Sequence, residues 1–533
     1  MSGEPDRRRN WLTRRSVLAV PVTIGLGSCI GDDDEPEPSP PPDPPDTVVE
    51  PDEPPEMDRP AVEELHSVNL VEQGADPTGE TGIADVIETH ADDDMLLLFP
   101  NGTYRLDREF SVGGLSNFGL VGDGATITIG PDFSDSVVFT LGSSGSDACE
   151  NVIVDGLRYD FSEPGAGVGC LRSYCNGYVH IEDVQVEGRI ESSNAAGRNL
   201  ALRLREGYQG LGRARIHNVR FPDGGTNAGM WLSGQTERCQ IHVTDSYVAN
   251  FEDNGFYANT GEGEQLFERC QARNNSISNF RLGGVVRDST VIVDDEFTHS
   301  PARPRGYWLR SRPTRVENCT YLNTAHDELG VEILDTDCVI DGLRLEVSGT
   351  AGGTTVRVHD AGPHETTIRN LHLNTTDIEA GRLMDVDNDR TSVSNLTIRT
   401  DADGFPVRVN GANGVEFTGI DVHATNADSR PFWFSDESAS GATLRDSRID
   451  VAGAEHDVRV DMPDVSIEST DAEVYFDESR NGVRGTIDGF GTNDGDPNEA
   501  GAWNGNGTPG IIVEDTESGE LYVRTDDEWR QFE

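Results

Sequence analysis

Trp231, Tyr257, Arg281 and Trp308 follow one another at intervals of 24 to 27 residues, and each stands between two apolar residues. The same apolar-x-apolar arrangement holds Arg203 before them and Glu332, Arg357, Asp385, Arg408, Trp433 and Arg459 after them, with Arg310 two positions beyond Trp308. Flat aromatic faces can stack on sugar rings, and guanidinium forks can hold carboxylate or sulfate groups through two parallel hydrogen bonds. Three of the six tryptophans in the chain occupy this pattern, so it concentrates the residue type best suited to stacking. A linear polymer bearing acid groups matches that set. Two other readings stay open: the residues reflect β-propensity, or long turns cover them.

Titratable residues gather beside the middle members of the series. Glu252 and Asp253 precede Phe256; Asp294, Asp295, Glu296 and His299 precede Arg305; His326, Asp327 and Glu328 precede Val331. Elimination in a uronide needs a base for the C5 proton and a cation for the carboxylate, roles open to Arg281 with His299 or His326. Glycosidic hydrolysis needs two carboxylates across the bond, for which Asp253 and Glu332 are the candidates. In a chain with 96 acidic residues, carboxylates beside any strand also arise by chance. No cysteine pair has zinc-finger spacing, and no cofactor or metal is expected, although a divalent cation such as calcium stays compatible with the sequence. Nucleic acid also uses arginine and aromatic residues, but little else in the chain is basic, so it is not an expected partner.

These residues need a frame that repeats. The intervals between successive middle residues run from 23 to 28 along the whole series, the length of one solenoid coil. A second pattern keeps step with the first, as in Val154-Asp155-Gly156-Leu157, Ile181-Glu182-Asp183-Val184, Ile216-His217-Asn218-Val219 and Ile368-Arg369-Asn370-Leu371. Period-two apolar residues mark strands, and the Asn, Asp or Gly supplies the left-handed residue of a tight bend. Helical periodicity is absent. The expectation is an all-β, right-handed parallel β-helix. The middle residue of each apolar-x-apolar unit should face outward, in a column with about 4.8 Å between neighbours.

Gly74-Ala75-Asp76-Pro77-Thr78-Gly79, followed by Phe99-Pro100-Asn101-Gly102-Thr103-Tyr104, resembles the opening of pectate-lyase-superfamily β-helices. The resemblance implies a capping helix and first coil here. That superfamily includes polysaccharide lyases, glycoside hydrolases and proteins without activity, so fold does not settle chemistry. The Asn-Thr-Asp, Asp-Asp and Gly-His-Gly motifs of polygalacturonase-type hydrolases are not matched, nor are the vicinal calcium-binding aspartates of pectate lyases.

The net charge is −54, and arginine supplies every one of the 42 basic residues. This resembles the acidic surfaces of haloarchaeal proteins. Thr13-Arg14-Arg15-Ser16-Val17-Leu18 resembles a twin-arginine export signal, and Leu26-Gly27-Ser28-Cys29 resembles a lipobox with Cys29 as the lipidated residue. The apolar stretch between them is too short to span a bilayer. Residues 30–62, rich in Asp, Glu and Pro, read as an extended linker. The β-helix is expected over 63–476. Residues 477–533 form a Gly/Asn/Asp-rich cap, with a hairpin made by Ile511-Ile512-Val513 and Leu521-Tyr522-Val523. The seven cysteines beyond Cys29 read as buried free thiols. The sequence thus points to an exported, membrane-anchored β-helix that binds and could cleave an anionic polysaccharide, or else to a non-catalytic adhesion protein.

Overall fold

The computed structural model describes residues 65–163, 167–191, 198–208, 210–295, 304–325, 329–349, 354–360, 362–378, 381–436 and 438–476. Four further backbone strands are described at Gly485–Ile487, Ile512–Asp515, Glu520–Arg524 and Trp529–Gln531. The leader, Cys29, the acidic linker, His299 and His326 lie outside the described residues.

Strands a coil apart pair in parallel, giving a β-solenoid of about fourteen turns. Three ladders run along it. One climbs through Met230–Gly234, Asn254–Gly261, Ser278–Leu282, Arg305–Leu309 and Val331–Ile333 to Val474–Phe476, and it contains the apolar-x-apolar series. The flanking apolar residues turn inward, as expected: Met230, Leu232, Phe256, Phe280, Leu282, Tyr307 and Leu309 are buried. Phe256, Phe280 and Tyr307 stack coil on coil at 4.8 and 5.6 Å. Each such side chain contributes roughly 1.5–3 kcal/mol relative to exposure, and the registered pairing brings like on like.

The bend between the other two ladders repeats a left-handed residue, with φ between 49° and 54° at Asp183, Asn218, Asp245, Asn318, Asn370 and Asn395. Their side chains also bond between coils: Asn218 Nδ2 donates to Asp183 Oδ1 at 2.6 Å and Asn395 Nδ2 to Asn370 Oδ1 at 3.2 Å. Arg269 departs from the expected residue types, with φ of 52°, and its Nε donates to Asp245 Oδ1 at 3.0 Å. An ion pair to the coil below here accompanies the conformation that Asn adopts more readily.

The segment from Gly74 to Tyr104, where a capping helix was expected, carries the short helix Ala84–His90, with Ile83, Ala84 and Ile87 buried. At the other end parallel pairing stops. Gly485–Ile487 pairs in parallel with Ile512–Asp515, which then pairs antiparallel with Glu520–Arg524, and that strand with Trp529–Gln531. The expected hairpin is therefore present, extended by one strand. All seven described cysteines are free and buried, and burial pushes the Cys319 thiol up to about 11, which keeps it unreactive. Among the described residues, no helix is long and apolar enough to cross a membrane.

Candidate functional site

The pairing register fixes which outward residues share a column. Trp231, Tyr257, Arg281, Trp308, Glu332, Arg357, Asp385, Arg408, Trp433 and Arg459 are direct partners in that order. Arg203 is not in it. It pairs with Tyr174 and Ser233, while Ala201 pairs with Trp231. The run Leu200-Ala201-Leu202-Arg203-Leu204 holds two overlapping apolar-x-apolar units, so the local pattern cannot choose between Ala201 and Arg203. Pairing with the next coil chooses Ala201. Arg203 stands one column aside, yet its guanidinium still lies 5.1 Å from the Trp231 ring and 5.2 Å from that of Tyr174.

The first half of the column holds three rings and one guanidinium, with further arginines packed over the rings. Arg281 lies 4.6 Å from the Tyr257 ring and 4.2 Å from that of Trp308, while Arg305 and Arg310 approach Trp308 at 4.5 and 5.3 Å. Arg198 covers Trp231 at 4.4 Å, leaving this ring only 9% exposed. Cation–π contacts of this kind hold flat groups in place through the ring face rather than through the guanidinium donors. Arg281 Nε, Arg310 Nε and Trp308 Nε1 are buried and have no hydrogen-bond partner among the described residues. Burial pushes the Arg281 pKa below the usual arginine value, and the Arg310 and Arg305 cations add to this against Tyr257 and Asp253. The local field is positive in a strongly negative protein. Asp253 feels Arg281 and Arg198, but burial outweighs them and pushes its carboxyl up. Just before this half, Ser144, Tyr174, Arg203, Arg205 and Gln235 line a shallow depression. A β-bulge between Trp231 and Ser233 locally shifts the register against the next coil.

The second half consumes its charges internally. Glu332 accepts hydrogen bonds from Arg305 Nε through Oε2 and from His359 Nε2 through Oε1, the latter at 2.9 Å. Burial pushes the Glu332 carboxyl up, but His359 and Arg305 outweigh it and hold it below the usual glutamate range. Asp385 is fully buried and takes a two-pronged bond from Arg408 at 2.8 and 2.9 Å, plus one from Arg382 at 3.1 Å. Arg357 faces Asp387 at 3.6 Å. Trp433 Nε1 and Arg459 Nε both donate to buried Asp461, at 2.9 and 3.0 Å, and Trp433 stacks on Phe405.

The structure therefore brings Trp231, Tyr257, Arg281, Trp308 and Arg310 together, with Arg203 beside them and Asp253 nearby. It places Glu332, Arg357, Arg408 and Trp433 on the same column but engages them in intramolecular bonds. Sequence reasoning missed Arg198, Tyr174 and His359. Tyr174 was hidden because Ser173-Tyr174-Cys175 lacks the apolar flanks, and Arg198 because it precedes its strand. Among the described residues, no three His, Cys, Asp or Glu side chains gather as metal ligands would.

No family model matches the sequence, and no curated protein matches it. Solved structures similar to it include PfbA, a surface adhesin of Streptococcus pneumoniae, at 10% identity and a TM-score of 0.30, covering 87% of this chain and 99% of the adhesin. The tailspike protein 3 of bacteriophage CBA120 is similar at 10% identity and a TM-score of 0.35, covering 87% and 68%. WceF of Pantoea stewartii, a glycan biofilm modifying enzyme with a tailspike-like parallel β-helix fold, is similar at 12% identity and a TM-score of 0.28, covering 58% and 37%. The neighbours thus include parallel β-helix proteins.

Proposed function

We propose that this protein binds an anionic polysaccharide along the strip from Tyr174 and Arg203 to Trp308 and Arg310. The observation that carries the reading is that the Arg281 and Arg310 guanidinium groups stack on Tyr257 and Trp308 without an ion-paired carboxylate among the described residues, in a chain of net charge −54. A guanidinium held flat against a ring keeps its donors pre-aligned for a carboxylate or sulfate. The ring faces beside it offer a platform for the sugar. The coil spacing sets a step comparable to one sugar along the ladder. In molar salt the Debye length is about 3 Å, so the distant acidic surface does not repel the polymer.

The setting belongs to the same proposal. The twin-arginine and lipobox signatures fit an exported protein held outside the membrane through Cys29, with the acidic linker as its stalk and a salt-rich medium as its solvent. Cys29→Ser should then release the protein from membranes in a host with the export pathway, and equal retention of both forms would exclude the anchor.

Binding is tested by titrating the purified body with a polyuronate and with a neutral glucan in molar potassium chloride. The polyuronate should bind, and Arg281→Ala should weaken it while leaving the residual affinity for the glucan unchanged. Equal loss for both polymers would remove the guanidinium from recognition.

A further inference from the structure

The arginines are not spread evenly along the chain. Between Arg198 and Arg238 stand seven of them against three carboxylates, Glu206, Asp223 and Glu237, a local net of +4 in a chain of −54. None of the seven forms an ion pair among the described residues. One coil carries most of them. Arg203 and Arg205 face outward from Leu200–Arg205, on the ladder of the outward column, and Arg213 and Arg215 from Gly212–His217, on the neighbouring ladder. Carboxylates on surrounding rungs of that second ladder are taken by other groups: Glu182 by His180 at 2.7 Å, Glu264 by Gln240 at 3.0 Å, and Glu268 by Arg269 and Arg287 at 3.0 Å each.

The turn that joins the two strands carries Tyr208, 97% exposed, and Leu211, 46% exposed, the two exposed large hydrophobic residues among the described ones. Its base is closed by Gly207 N–H donating to the Leu211 carbonyl at 3.0 Å, and Gly210, at a φ of 76°, turns the chain back. Gly207 lies so close to the preceding coil that a Cβ on it would sit 2.6 Å from the Gly177 Cα. The turn is thus seated on the solenoid, with Arg205 before it and Arg213 after it.

We propose that the anionic polysaccharide does not end at Arg203 but turns over this corner, across Arg205 and Tyr208, onto Arg213 and Arg215 of the neighbouring face. The inference rests on the binding reading above. Strip and corner are continuous, because Tyr174, Arg203, Arg205 and Gln235 line one shallow depression. Guanidinium forks at the corner take acid groups of the polymer, and the Tyr208 ring offers a face to a sugar at the bend. A flexible chain can follow arginines that face in two directions, whereas a flat bilayer meets one face at a time. From Tyr174 to Trp308 the strip spans five coil steps, each comparable to one sugar, or about 24 Å. Only a longer oligomer reaches the corner, so affinity should rise with length beyond that point.

The purified body is titrated calorimetrically in molar potassium chloride with oligogalacturonates of about four and about twelve residues, below and above the reach of the strip. The longer oligomer should bind at least about tenfold more tightly, since a single hydrogen bond to a charged group is worth that much. Arg213→Ala/Arg215→Ala should remove most of this gain and leave the short oligomer unaffected. Tyr208→Ala, at a side chain with no packing to lose, should remove about fivefold of it through the lost stack. Arg281→Ala should weaken both lengths, which sets the strip apart from the corner. Arg213 is half-buried, so Arg215→Ala alone, at an exposed position, serves if the double variant melts early. Equal affinity for the two lengths, or a length gain that survives these corner substitutions, overturns the corner path and leaves the strip intact. Absence of binding at both lengths overturns the strip and the corner together. Cosedimentation with phosphatidylglycerol vesicles that Tyr208→Ala abolishes, without any length gain, makes the corner a membrane contact and likewise overturns the path.

Discussion

The column of outward residues on one ladder is built twice over from the same residue types, and its two halves do different things. From Trp231 to Trp308 the guanidinium groups stack on rings, and the buried Nε of Arg281 and of Arg310 has no hydrogen-bond partner among the described residues. From Glu332 to Arg459 they meet carboxylates, as where Arg408 and Arg459 reach the buried Asp385 and Asp461. At Arg408 the difference comes from the rung beside it, Asp385, whereas Arg459 lies between the Trp433 and Tyr475 rungs and meets Asp461 two residues along its own chain. An aromatic neighbour takes the face of a guanidinium and leaves its edge free. An acidic neighbour takes the edge. One half thus holds its guanidinium groups on ring faces, as the proposed binding requires, while the other pairs its charges within the protein.

The comparison breaks most visibly in stability. Asp385→Ala removes a buried carboxylate from two cations, so a loss of about 3–5 kcal/mol is expected in chemical denaturation, with glycan binding retained in the folded fraction. Arg281→Ala, judged by the same measurement, should change stability far less, because no ion pair is broken. Comparable losses in both variants would erase the distinction between the halves.

Binding should show the reverse order. Arg281→Ala should cost about 1.5–3 kcal/mol of affinity for a polyuronate, the range for hydrogen bonds to charged groups. Trp308→Ala should cost about 1 kcal/mol through lost stacking, whereas Trp433→Ala, whose indole already donates to Asp461, should leave affinity unchanged. Calorimetric titration of the three variants decides this, and a Trp433 effect as large as that of Trp308 would extend the strip across the whole ladder.

The smallest effect concerns acid. Glu332 has its folded pKa held below the ordinary 4.5, so its contribution to stability is fully present above that value and is lost as pH falls through the folded one. Thermal melts of wild type and Glu332→Gln should therefore converge as pH falls through the lowered folded pKa and diverge towards neutrality. Parallel curves at all pH values would show that the His359–Glu332–Arg305 contacts carry no net stabilisation.

Much of this was legible in the chain itself. Apolar residues at period two, repeated every 23 to 28 positions, can be buried together only by coiling, because a single coil has no interior of its own. The Asn, Asp and Gly residues at fixed offsets marked the bend, since few others adopt positive φ at low cost. Outwardness of Trp231, Tyr257, Arg281 and Trp308 followed from their buried neighbours. The sequence determined the solenoid, its bend and the identity of the outward column from Trp231 onward. Tertiary structure alone decided three things. Inter-coil pairing put Ala201 rather than Arg203 below Trp231, because a local run with two equivalent phases carries no register. Side-chain reach from outside the strands brought Arg198 over Trp231 and His359 against Glu332, contacts that no spacing encodes. Finally, the pairing of Arg408 depends on the Asp385 that a neighbouring coil presents at its rung. That is a relation between residues some 25 positions apart, and only the folded ladder makes them neighbours.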